Sequence, residues 1–124
     1  LEALTIKQQH FLRQYKDWLD QVVEALALVV QFYRDGHEEQ GDGLLSETIA
    51  GFERFGEENM TMRIIFGQEE ERAQEWEQFQ QHIYIGQDIP SLTDPIEKIA
   101  YITKETLPAF QRWRTIVEAT LSET

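Results

Sequence analysis

The sequence predicts an all-α fold: an antiparallel, up-down four-helix bundle whose last helix is kinked near Pro108. Three observations lead there. Leu12, Tyr15, Leu19, Val22, Leu26, Val29 and Tyr33 recur at alternating gaps of three and four, a spacing that puts them on one stripe of an α-helix and that no strand can use. Only three prolines and seven glycines interrupt a chain rich in Gln and Glu. Asp94-Pro95-Ile96-Glu97 is a strong helix start: a capping carboxylate, a proline at the first helical position and a glutamate at the third.

The first helix is expected to begin at a Thr5 cap and to end at Arg34 or Asp35, with Gly36 supplying the left-handed residue beyond its end. A second row, Phe11, Trp18, Ala25, Leu28 and Phe32, widens its apolar face, so it needs covers on more than one side. The second helix should run from His37 or Leu44 to Phe66. Its seam is Leu45, Thr48/Ile49, Phe52, Phe55, Asn59, Met62 and Ile65/Phe66. Gly51 and Gly56 beside that seam imply either close approach of a neighbouring helix or a bend. Asn59 is either a buried residue fixing register or a residue at the core edge. Gly67 ends or interrupts this helix, and a third, Gln68 to His82, carries Ala73, Trp76, Phe79 and Ile83 on one side, with glutamates around the rest. Ile85 to Pro90 reads as a loop. The last seam is Ile96, Ile99/Ala100, Thr103, Leu107, Phe110, Trp113 and Val117. Pro108 lies inside it and collides with the carbonyl of Lys104, so the helix should kink there or restart with Thr106 as a cap.

The length fits one domain, residues 1–124, large enough to bury a core without staples. The absence of cysteine excludes disulfides and thiolate chemistry and fits a cytoplasmic, reducing setting. No apolar run is long enough to span a membrane and no signal peptide is visible. The chain does not begin with Met, which leaves an upstream leader open. The net charge of −12 falls entirely in residues 35–94, where fifteen acids face Arg54, Arg63 and Arg72; the flanking segments are each balanced, four against four. Such a surface repels phosphates and anionic lipid, so neither nucleic acid nor membrane is an expected partner, whereas a basic protein would suit it.

The usual enzyme signatures fail. The residues three before His10, His37 and His82 are Lys7, Arg34 and Phe79, so no Glu-x-x-His pair exists for a carboxylate-bridged di-metal site. There is no His-x-x-x-His pair, no phosphate-binding Gly-Lys-Ser/Thr loop and no Gly-x-Ser-x-Gly elbow. His37-Glu38-Glu39 reads as a solvated helix terminus, Glu69-Glu70-Glu71 as a charge run on an exposed face, and Trp18, Trp76 and Trp113 as seam residues. No catalytic residue, cofactor or metal is expected.

Glu105-Thr106-Leu107-Pro108 followed by Trp113 resembles the E-x-L-P-x-x-x-x-W segment of a group of small uncharacterised helical proteins of Gram-positive bacteria. Val29 to Gly36, with Leu44-Leu45 and Ile49-Ala50-Gly51-Phe52, resembles the first two helices of the same group, which is similar in outline to FliT-type flagellar export chaperones. The resemblance covers roughly half of the chain. The glutamate-rich third helix and the Asp-Ile-Pro loop depart from it. It implies a bundle that binds other proteins and offers no catalytic residues.

The expected function is therefore a non-enzymatic protein–protein interaction module, chaperone-like or scaffold, that dimerises or takes a client. The candidate interface residues are Trp18, Phe32, Phe52, Phe110 and Trp113. The alternative is an acidic, antitoxin-like inhibitor that neutralises a basic protein through residues 35–94, with Glu69, Glu70 and Glu71 as its acidic face. The first predicts binding that withstands salt; the second predicts binding that salt screens away.

Overall fold

A computed structural model describes residues 3–123 and is all-α, with no strand among them. Helix α1 is Ile6–Arg34, α2 is Glu38–Ala50, α3 is Met60–Phe66 and α4 is Glu70–Gly86. Then α5, Pro95–Tyr101, a π turn, Ile102–Thr106, and α6, Leu107–Ser122, follow one another without a break. Short 3-10 turns, Glu53–Phe55 and Ile89–Ser91, join α2 to α3 and α4 to α5.

Helix α1 is the spine. Thr5 caps it in a reciprocal box: the Thr5 hydroxyl accepts from the Gln8 amide at 3.1 Å, and the Gln8 side chain accepts from the Thr5 amide at 3.0 Å. At the other end the His37 amide donates to Phe32 and the Gly36 amide to Tyr33, with Gly36 at φ +82°. This is a Schellman closure, which needs a residue free of the left-handed penalty. All seven residues of the predicted stripe are buried, joined by Val30. Helices α2, α5 and α6 pack on them, and α4 packs on α6. Each fully buried Leu or Val of this kind is stabilising by roughly 1.5–3 kcal/mol relative to exposure. Of the second row, Phe11, Trp18, Ala25 and Phe32 are half-buried and Leu28 is exposed, so the chain's own helices cover most of α1.

The single second helix expected over residues 37–66 is instead two helices. Helix α2 stops at Ala50, Phe52 turns into the core, and residues 51–59 cross as a 3-10 turn and loop. Asn59 explains the restart: its carboxamide oxygen accepts from the Met62 amide at 3.0 Å, and its amino group donates to the Arg54 carbonyl at 2.8 Å. It is the half-buried N-cap of α3, a residue at the core edge rather than a buried one that fixes register. Gly51 and Gly56 lie in this break rather than within a helix.

Helix α4 starts two residues later and runs four residues further than expected, because nothing stops it before Gly86. Part of the expected loop is thus helical, and Ile89 beyond it is a core residue.

The last seam differs from the expected one, and the π turn is the reason. Asp94 accepts from the Ile96 amide at 2.8 Å, so the start is as expected. Ile96 and Thr103 are nevertheless exposed, and the buried positions are Lys98, Ile102, Thr106 and Phe110, then Trp113, Val117 and Thr120. Three successive gaps of four before Phe110 drift off one face of an α-helix and suit a wider turn. The Leu107 amide donates to Ile102, five residues back. A π turn immediately before Pro108 relieves the clash of its ring with the i−4 carbonyl and keeps the helix continuous. It also shifts everything upstream by one position. Thr106 has helical dihedrals and makes no capping hydrogen bond, so the restart with a Thr106 cap does not occur.

Candidate functional site

Two places stand out. One is closed and ionic, the other open and aromatic, and they lie on α1 near Tyr33 and near Tyr15.

The ionic cluster joins α1, α2 and α5. Lys98 is 2% exposed, and its Nζ meets Glu38 at 2.8 Å and the two Asp42 oxygens at 3.0 and 3.2 Å. The Tyr33 hydroxyl donates to Asp42 Oδ1 at 2.7 Å, and the ammonium lies 5.5 Å from the Tyr33 ring centroid. Gly41 is buried against Tyr33: a Cβ there would stand 2.6 Å from Tyr33 Cε1, so only glycine lets the ring lie on α2. Burial depresses the Lys98 pKa, but hydrogen bonds to Glu38 and Asp42 outweigh it and raise the group above its ordinary value. A lysine serving as base or nucleophile needs the opposite shift. Burial first, then the bond to Asp42, also pushes the Tyr33 hydroxyl above the usual tyrosine range. The cluster holds three helices together, and it is a poor place for proton transfer.

The aromatic site arises where α2 ends early. Because residues 51–59 cross as a turn and loop, a cavity of about 340 Å³ stays open between that turn and α4. Tyr15, Phe52, Trp76 and Phe79 form its floor, Phe55 and Ile83 its half-buried walls, and Glu53, Gln80, Tyr84 and Gln87 its rim. The floor is braced from behind. Phe52 meets Phe79 and Phe110 edge-on at 5.4 and 5.2 Å, and Phe79 stacks on Trp113 at 5.2 Å. The Trp113 indole donates to the Tyr15 hydroxyl at 2.8 Å, a buried bond that fixes α6 against α1. Rigid aromatic walls with a few polar groups at the mouth are the usual lining of a binding pocket.

The five candidate interface residues separate in the structure. Phe110 and Trp113 are core, each 1% exposed. Phe52 is buried with one side on the cavity. Trp18 is half-buried beside Phe52 and Phe55, with the Arg54 guanidinium 5.4 Å over its ring. Phe32 is half-buried at the other end of α1, against His37. The acidic candidates sit at the start of α4. Glu70 and Glu71 are exposed in its first turn, where the helix dipole favours negative charge, and Glu69 reaches Arg72 at 3.8 Å. His37-Glu38-Glu39 is the expected helix terminus with His37 and Glu39 exposed, and Glu38, 42% exposed, is in addition a partner of Lys98.

Sequence reasoning missed Lys98 and Asp42, and read Phe55 and Ile83 as seam residues only. The signal for Lys98 was its place four residues before Ile102 and eight before Thr106, a row that becomes legible only once a π turn is allowed. No cluster of three or more His, Asp or Glu suited to a metal occurs among the described residues, and no helix among them is long and apolar enough to cross a membrane.

Residues 10–116 match the sequence model of a family described as Domain of unknown function (DUF8042), and the chain belongs to that family. No curated protein and no solved structure matches the chain. The matched span contains both the ionic cluster and the aromatic cavity.

Proposed function

We propose that the protein is a non-enzymatic protein-interaction module, chaperone-like or scaffold in character, built on a bundle with an interrupted second helix. The observation that carries this reading is the open cavity between the 53–55 turn and α4. Its aromatic floor is rigid and its volume, about 340 Å³, admits one bulky apolar side chain of a partner. Tyr84, 71% exposed at the rim, and the neighbouring Ile85, 44% exposed, extend the apolar surface beside the mouth. Such anchoring is the common way a small part of an interface contributes most of its affinity. A homodimer was expected from an uncovered α1 face. With most of α1 covered by the chain itself, a different partner protein is the better-supported occupant.

The test is differential capture. Ala50 is exposed at the end of α2 and lines the cavity, so Ala50→Trp fills the mouth without replacing a core residue. Wild type and Ala50→Trp are immobilised side by side, and bound proteins are identified by mass spectrometry at low and high salt. A partner retained by the wild type and lost by Ala50→Trp supports the module. Recovery of the same proteins by both sinks it. A partner lost instead on charge reversal of Glu69, Glu70 and Glu71 supports the acidic-inhibitor reading.

A further inference from the structure

The cavity's surroundings specify the chemistry of what enters it. This inference rests on the docking role proposed above. Its lining comes from Tyr15 and two segments, 50–56 and 76–87. Glu53 is the one carboxylate in the lining; Glu57, Glu58, Glu77 and Asp88 lie within or just beyond those segments in the chain, where Arg54 is the one Lys or Arg. Glu57, Glu58, Glu77 and Asp88 are exposed, as is Glu53 at the rim. The Arg54 guanidinium is held over two rings, 4.8 Å from Phe55, a wall of the cavity, and 5.4 Å from Trp18, which is absent from the lining. The cavity is therefore apolar within, and the exposed residues on and beside its two segments carry five carboxylates against one guanidinium.

We infer that the occupant is a peptide segment of another protein carrying one bulky apolar side chain flanked by lysine or arginine. The apolar side chain fills the aromatic floor, and the basic flanks meet Glu53 at the rim and the carboxylates beside it. An acidic or phosphorylated segment is repelled, and a purely apolar one loses the steering that long-range charge supplies. The two contributions are separable, because apolar burial is insensitive to modest salt whereas exposed charges are screened within about 10 Å at ~0.1 M salt.

The experiment is a selection from a display library of random dodecapeptides on the full chain, with Ala50→Trp as the counter-target. The recovered peptides are synthesised, and their affinities are measured for the wild type, Ala50→Trp, and a Glu53→Lys/Glu57→Lys variant, each first shown to have wild-type circular dichroism. Peptides with one aromatic or large aliphatic residue among lysines or arginines are expected. Affinity should fall about thirtyfold or more in Ala50→Trp, as for loss of a central anchor. It should fall about tenfold in the charge-reversed variant and by a similar factor between ~0.05 and ~0.5 M salt. Recovery of neutral or acidic peptides that Ala50→Trp rejects overturns the basic-flank inference and leaves the docking role standing. Peptides bound equally by Ala50→Trp, or no enrichment at all, overturn both.

Discussion

The two ends of α1 are built from similar helical material but differ in what happens to the helix beside them. Near Tyr33, α2 is continuous and glycine at position 41 lets it lie on the tyrosine ring, so the gap closes and a lysine from α5 seals it. Near Tyr15, α2 has already ended, and a crossing loop leaves the aromatic floor open. Closure thus depends on helix continuity rather than on apolar content: the open end is the more aromatic of the two. The closed end reads as architecture and the open end as a place for a partner.

The largest expected effect separates the partners of the ionic cluster. Asp42→Ala leaves a 2%-exposed ammonium with one carboxylate and removes the acceptor of the Tyr33 hydroxyl. It should destabilise the fold by about 3 kcal/mol in denaturant titration. Lys98→Ala leaves behind carboxylates that are 30% and 42% exposed and can rehydrate, so about 2 kcal/mol is expected. Equal losses would mean that burial of the ammonium is not the deciding term.

Gly41→Ala drives a methyl group into the Tyr33 ring and should cost about 2 kcal/mol, as overpacking does. By contrast, Ala50→Trp at the open end should change stability by under ~0.5 kcal/mol, because position 50 is exposed. If the two substitutions cost the same, the open/closed distinction fails.

A smaller effect of opposite sign is expected in the π turn. Thr48, Thr103, Thr115 and Thr120 donate to carbonyls four residues back. Thr106 is 1% exposed and its hydroxyl has no partner. The carbonyl four residues behind it, that of Ile102, already accepts from the Leu107 amide across the π turn. Thr106→Val removes an unsatisfied buried hydroxyl at nearly constant shape and should stabilise by about 1 kcal/mol, read as a rise in Tm.

The smallest effect is a titration. Tyr33 is raised by burial and then by its bond to Asp42; Tyr15 is raised by burial, and its bond from Trp113 lowers it only in part. Groups whose folded pKa is raised contribute stability below the unfolded value, about 10 for tyrosine, and lose it as pH climbs toward the folded value. Lys98, also raised, acts in the same direction. Phenolate absorbance should therefore show Tyr15 and Tyr33 ionising above the ordinary tyrosine range, with stability falling in that alkaline window. Asp42→Asn should lower Tyr33 and leave Tyr15 unchanged.

Much of this was legible in the sequence. The α1 stripe, its Thr5 and Gly36 ends and the Asp94-Pro95 start follow from local rules, and local rules held there because nothing tertiary opposed them. The split of the second helix was not read, although Asn59 three residues before Met62 is a capping spacing; the apolar seam continues through 52 and 55 and masks it. The shifted last seam was not read because a π turn changes the period on which such reading depends. The cavity was unreadable for a more general reason: it is a gap left by a loop, and its floor comes from two separate helices and a turn.

The most direct test of the contrast is an amide NMR shift map of the full chain on addition of the tightest selected peptide. The account predicts shifts concentrated in residues 50–56 and 76–87, with Tyr33, Asp42 and Lys98 unmoved. Shifts centred on the ionic cluster, or on the acidic start of α4 with the cavity silent, would contradict it.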